Sequence, residues 1–295
     1  MVPVSPGILY ALVAAVVWGT YVFALKRYFS QYPASVLTVV VNAFAIVWYL
    51  PVAATRLDAP LGDMLGALTP ASVAVAVGTD VALAGALVLF FRALSVGDVS
   101  YVTPINKLVP VFVLPVEIVF LGAVLSPLQV GGVVVATMAV YVANYRRGSL
   151  LEPLRRAARY RPAQLALVSA ALFALGDLGK RLALSDLALP MSLWVLWVFV
   201  GVFVLLVPGA MYAWPDDGVR ADLPKFAVAG LFVAGGEHVT SLAFQLVPAS
   251  IASPIINTQA VVAVVLGGIV LRERAFATRL VAAGLAVCGV TLIAL

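Results

Sequence analysis

Ten apolar runs, each close to the length that crosses a bilayer, fill almost the whole chain. They lie at approximately 7–27, 34–54, 72–94, 98–121, 127–145, 164–183, 190–213, 225–245, 250–271 and 276–294. A spanning helix takes about 20 mostly apolar residues, so each run reads as one transmembrane helix. The connections carry breakers, as in Tyr32-Pro33-Ala34-Ser35, Ser126-Pro127 and Val247-Pro248-Ala249-Ser250. Several are a few residues long and leave no room for a soluble domain. Composition agrees: 64% of residues are hydrophobic and 11% charged, against about 45–50% and about 25% in a soluble domain. Disorder is excluded as well, because disordered chains are polar. The expectation is an all-α membrane protein of ten transmembrane helices. Met1–Gly7 has no Lys or Arg and the run after it is long enough to span, so the first helix is expected to stay in the mature protein.

The middle of the chain invites a search for a repeat. Five runs precede the longest polar connection, 146–162, and five follow it. Shifted by 150, Ala93 meets Ala243, Ser100 meets Ser250, and Thr103-Pro104-Ile105 meets Ser253-Pro254-Ile255. Leu121 meets Leu271 and Val140 meets Val290 on the same shift. The first runs correspond at a shift of 155, with Ala11-Leu12-Val13 on Ala166-Leu167-Val168 and Trp18 on Phe173. Two repeats are therefore expected, over 1–148 and 149–295, within one membrane domain. Five is odd, so sequential copies lie inverted, and inverted repeats place a substrate site near the midplane between them. Pro104 and Pro254 occupy equivalent positions and are the expected hinges, because proline removes a backbone donor and kinks a helix. A simple packing kink is the competing reading.

The basic residues sort across the membrane. Helix parity puts 14 Lys and Arg, six of them in 146–162, on one face and only Arg56, Lys180 and Arg181 on the face with the termini. The positive-inside rule makes the basic face cytoplasmic. The net charge of +5 thus marks topology, and no nucleic-acid partner is expected. A single cysteine, Cys288, excludes an intrachain disulfide or a Cys-cluster metal site, and no cofactor or metal is expected. Beside Gly284 and Gly289, Cys288 belongs to a helix-packing surface, in a monomer or at a homodimer contact.

These features resemble the drug/metabolite transporter superfamily in its ten-helix EamA-like form. The carriers are Trp18-Gly19-Thr20 with Lys26, Ala93-Leu94, Pro104 through Pro110, and Pro254 followed by Leu271-Arg272-Glu273-Arg274. The last is similar to the family's Leu-Gly-Glu-Arg turn, with Arg272 in place of Gly. The resemblance spans essentially the whole chain and implies ten helices around a central cavity. It implies secondary transport of amino acids, sugars, sugar phosphates, nucleotide sugars, amines or other metabolites. It also implies cytosolic termini, opposite to the orientation that the basic residues give.

Ionisable residues in hydrocarbon are costly and normally face a cavity or a partner. Asp80, Asp177 and Glu237 each lie roughly 9 residues from the face with the termini, about 13 Å deep at helical rise. Lys107 follows the Pro104 kink beside Asn106, and Asn257 and Gln259 lie at the matching level of the ninth run. Trp18 and Tyr21 supply an apolar wall of the kind small-ligand sites use. The expected substrate residues are therefore Lys107, Asn106, Trp18, Tyr21, Asn257 and Gln259. The expected coupling or cavity-polar residues are Asp80, Asp177, Glu237 and His238. Each has a plainer reading: Asp80 or Glu237 neutralises Lys107, and His238 is a satisfied core histidine. Lys180 reaches the near interface by snorkelling as readily as it turns inward, and Glu117 marks a helix end.

The functional expectation is a secondary-active carrier of a small polar metabolite in the plasma (inner) membrane. An amino acid, related zwitterion or organic anion fits the mixed charges, with a proton as the candidate coupling ion. A sugar, sugar phosphate or amine is the alternative. An intramembrane aspartyl protease built on Asp80 and Asp177 is a remote alternative, since Ala174-Leu175-Gly176-Asp177 only partly matches a Gly-x-Gly-Asp motif. A structural membrane subunit is a third. Nucleotide-driven pumping is disfavoured, because no Gly-x-x-x-x-Gly-Lys-Ser/Thr loop occurs.

Overall fold

The computed structural model describes residues 5–29, 31–55, 68–96, 106, 108–122, 125–143, 161–215 and 219–270, together with 281, 284, 285, 288, 289, 291 and 292. Its helices are α1 (Pro6–Tyr28), α2 (Ala34–Thr55), α3 (Pro70–Val96), α4 (Val109–Leu121), α5 (Pro127–Ala143), α6 (Arg161–Arg181), α7 (Met191–Tyr212), α8 (Leu223–Leu246), α9 (Ala249–Asn257) and α10 (Gln259–Val270). A π-helical turn, Leu182–Asp186, continues α6, and a 3-10 turn, Arg220–Asp222, leads into α8. Helical backbone recurs at the described residues of the last apolar run.

Among the described residues, six helices are long and apolar enough to cross a bilayer by themselves: α1, α2, α3, α6 with its π turn, α7, and α8 with its 3-10 turn. Their outward side chains, such as Leu9, Val13, Val47, Leu50, Val204 and Leu205, are exposed, as lipid-facing residues must be. Inside, the contacts favour small residues. Lipid tails are as apolar as Leu, so helices associate in a bilayer by close packing, which small side chains permit. A methyl group on Gly230 of α8 would lie 2.5 Å from Phe44 Cβ and 2.9 Å from the Ala45 backbone nitrogen of α2. One on Gly19 of α1 would lie 2.6 Å from the Gln259 carbonyl oxygen of α10.

The packing comes in repeat-related pairs. Helix α1 runs antiparallel to α8: Gly7 abuts Val247, Trp18 abuts Gly236, and the Phe29 and Phe226 rings lie 4.9 Å apart. Helix α3 runs antiparallel to α6 in the same manner, with Thr79 against Gly179, Leu83 against Gly176, and Gly85 facing Leu172. The α2–α8 contact is matched by α7–α3, and α1 against α9 and α10 is matched by α6 against α4. These are the pairings expected of two copies of one helical unit.

Two differences from the expected runs bear on function. The ninth run is not one helix: it breaks at Thr258 between α9, which contains Pro254, and α10. Leu108, 150 residues earlier, is also a turn, between helical Asn106 and α4. Both repeats thus place a turn at the same position of the fourth run. The sixth run does not stop at 183, because the π turn carries it to Asp186. Single π turns inside helices concentrate at functional sites. Pro104 and Lys107 lie outside the described residues, as does the side chain of Glu117.

Candidate functional site

The interrupted helices bring polar groups to the centre of the bundle. Asn106 donates from Nδ2 to Ser169 Oγ at 2.9 Å, and Ser169 donates in turn to the Ala86 carbonyl at 2.7 Å. This chain ties the segment ahead of α4 to α6 and α3. At the second interruption, Asn257 Nδ2 donates to the Ser253 carbonyl at 2.9 Å. Proline at 254 has no N–H, and the polar side chains around it serve backbone groups that regular helix would otherwise hold.

Between the repeats lies a cavity of about 440 Å³. Helices from both repeats line it. Of the residues expected at the site, Trp18, Tyr21, Asn106, Asn257, Gln259, Asp177 and Glu237 all border it. Trp18 is fixed in its wall by two contacts. Its indole nitrogen donates to Thr240 Oγ1 at 2.9 Å, and its ring meets Tyr21 edge-on at 5.7 Å between centroids.

The central amine is Lys180. Its sequence position allows a snorkelling or an inward-facing role, and the structure turns it inward. It is 5% exposed, borders the cavity, and places Nζ 2.6 Å from Glu237 Oε1. The same nitrogen stands 5.6 Å from the centre of the Phe244 ring, a cation–π contact. The next residue takes the boundary role instead. Arg181 hydrogen-bonds Ser185 Oγ and donates to the Phe244 and Gln245 carbonyls at the end of α8, at 3.3 and 3.4 Å. A cation there satisfies terminal carbonyls and the negative end of the helix dipole. Two consecutive cations therefore bind α8 in different ways, one at its end and one about two turns deeper. Asn42 and Thr38 of α2 also border the cavity, although their spacing in an apolar run gives no signal of it.

Two expected residues lie elsewhere. Asp80, expected at the depth of Asp177 and Glu237, points from α3 towards Gly201 of α7 and is not among the residues that line the cavity. Depth along a helix fixes level but not azimuth. Trp194 and Trp197 accompany it on that side, around a small gap between α3 and α7. His238 faces away from its neighbour Glu237: Tyr49 Oη lies 3.0 Å from His238 Nδ1, and their rings are 5.8 Å apart. Among the described residues, no group of three or more His, Cys, Asp or Glu is arranged to hold a metal ion.

At one membrane face, Asp222 joins two connections. Tyr32 Oη donates to its Oδ2 at 2.8 Å, Gln31 Nε2 donates to the same oxygen at 3.2 Å, and Lys225 Nζ stands 2.6 Å from Oδ1. The hydrogen bond to Asp222 is the main reason that the Tyr32 phenol ionises above its ordinary range.

Comparison with known proteins agrees with this architecture. The sequence profile of the EamA-like transporter family matches twice, over residues 5–145 and 161–295. No curated protein matches. Among solved structures, one described only as the crystal structure of a protein superposes with a TM-score of 0.80 at 15% identity, covering 99% of each chain. At that identity the likeness speaks for the fold alone.

Proposed function

The chain belongs to the EamA-like transporter family, a family of membrane transporters in the drug/metabolite superfamily, and from that premise we propose that it is an alternating-access carrier of a small zwitterion, an amino acid or a close relative. The observation that carries this reading is the Lys180–Glu237 pair at the wall of the cavity. A buried pair holds two opposite charges that each need a partner. A zwitterion supplies both: its carboxylate takes Lys180, and its ammonium takes Glu237 with Asp177. The ligand thereby replaces one closed pair with two, so binding leaves no charge stranded. Trp18 and Tyr21 cover the apolar part of the ligand, and Asn106, Asn257 and Gln259 offer amide groups. Lys107 is proposed as a further substrate contact from its place beside Asn106. The volume lies in the range of small-ligand sites, about 300–1,000 Å³.

The charge balance favours this over the alternatives. Among the described lining residues, one amine faces two acids, a poor match to a sugar phosphate, which calls for several cations. An uncharged sugar would leave the ion pair unused. Asp80 and Asp177 point to different places, whereas an aspartyl protease needs two carboxyls sharing a proton. We place the chain in the plasma (inner) membrane with its basic face in the cytoplasm. Pro254 and the Thr258 break, with Pro104 as the equivalent, are the proposed hinges.

The test is counterflow. Proteoliposomes loaded with unlabelled L-amino acids should accumulate the matching labelled amino acid from outside, and Lys180→Ala should abolish this. Wild-type vesicles that behave like protein-free vesicles for every amino acid would refute the reading.

A further inference from the structure

Asp80 is buried, 4% exposed, yet stands apart from the cavity. The Trp197 side chain hydrogen-bonds its carboxyl, while Oδ1 has no hydrogen-bond partner. Gly201 of α7 makes room for it, because a methyl group there would overlap the carboxylate. A buried carboxylate with an unpaired oxygen is costly in a membrane. The repeat shows that packing does not demand it. The equivalent position, 150 residues on, is Gly230, and its contact with Phe44 and Ala45 of α2 closes without an ionisable group.

Nor does a described cation neutralise Asp80. On α6, Lys180 is bound to Glu237, and Arg181 is bound to Ser185 and the end of α8. The other charged groups on elements packed against α3 are Asp177 and Arg161 of α6 and Asp186 of the π turn. Between Met191 and Tyr212, α7 has no charged residue, and its one titratable group is the terminal Tyr212.

We propose that Asp80 is a proton-binding site between α3 and α7 that couples substrate movement to a proton gradient; this rests on the carrier reading above. In the conformation seen here α3 and α7 are closed around the carboxyl, and a proton neutralises it there. A conformation that parts the two helices hydrates the group and lets the proton leave. One proton taken from one aqueous side and released to the other accompanies each cycle, and no other reactant is needed. Since the two conformations differ in proton affinity, the proton biases their equilibrium. The connection to the cavity is short. Thr79, beside Asp80, fills the groove at Gly179, and Gly179 precedes Lys180 in the ion pair. Movement of α3 against α7 therefore displaces the Lys180–Glu237 pair.

Asp80→Asn, a neutral isostere, separates coupling from transport. In proteoliposomes with labelled L-amino acids, the variant should retain counterflow at equal pH. Accumulation driven by a pH gradient should fall to the level of the equal-pH control. Gradient-driven accumulation like that of the wild type, or loss of counterflow together with coupling, would overturn the assignment. Infrared difference spectra of the protein in nanodiscs between two pH values need no substrate. They should show a carboxylic C=O band that Asp80→Asn removes, and a band unchanged in that variant, or no such band, would overturn it. If wild-type vesicles show no counterflow, the carrier reading fails, and the infrared result still decides whether Asp80 titrates.

Discussion

Replacing Lys180 and Glu237 singly and together reads the energy of the central pair. Lys180→Met keeps the length of the side chain and removes its charge; Glu237→Gln keeps the shape and removes the other. The two side chains are 6% and 11% exposed at 2.6 Å, so either single change strands a charge out of water. Breaking a buried pair in this way costs about 3–5 kcal/mol, whereas replacing both members with neutral groups is often near neutral. Lys180→Met also loses the contact with the Phe244 ring, worth ~2 kcal/mol when desolvated, so it should be the more damaging of the two. The singles therefore sum to roughly 8–12 kcal/mol, and the double variant should lie several kcal/mol below that sum. Reversible unfolding in mixed micelles, followed by tryptophan fluorescence, supplies the four free energies of the cycle. A double variant that costs the full sum would mean that the groups do not interact, and the zwitterion argument would lose its basis.

The other predictions probe the scaffold, the face and the orientation. Gly230→Ala should destabilise by about 1–3 kcal/mol, the usual cost of overpacking a closed contact, because its methyl group would meet Phe44 and the α2 backbone; an unchanged melting temperature would contradict the α2–α8 packing. Tyr32 should ionise above the ordinary tyrosine value of about 10, because ionisation gives up its hydrogen bond to Asp222. The stability from this bond is therefore fully present below the unfolded-state value and is lost as pH rises through the folded one. In an ultraviolet tyrosine titration, Asp222→Asn should move this ionisation down, and no movement would sink the assignment. A carboxy-terminal alkaline phosphatase fusion should be active and a fluorescent-protein fusion dark, as the positive-inside rule requires; the reverse pattern would support the orientation implied by the family resemblance.

Much of the site was legible in the sequence because membrane burial makes polar residues conspicuous. Trp18, Asn106, Asn257, Asp177 and Glu237 stand out within apolar runs, and the 150-residue shift pairs the segments that break at Leu108 and Thr258. What the sequence left open follows from geometry it does not encode. Lys180 lies three residues before the end of its apolar run, where snorkelling is the natural alternative. The π turn Leu182–Asp186 extends the helix past that end, and Arg181 takes the boundary role. Asp80 shows the second limit. Residue counting gives an expected depth but no direction, and only the packing of Thr79 on Gly179 and of Asp80 on Gly201 reveals that it faces α7. Asn42 and Thr38 gave no warning at all, because isolated small polar residues are ordinary in transmembrane helices.

The central claim is that the cavity reads both charges of a zwitterion, and inhibition of counterflow by blocked ligands tests it most directly. The free amino acid that supports counterflow should compete, while its methyl ester, which lacks the carboxylate for Lys180, and its N-acetyl derivative, which lacks the ammonium for Glu237, should not. Equal competition by all three would contradict the account.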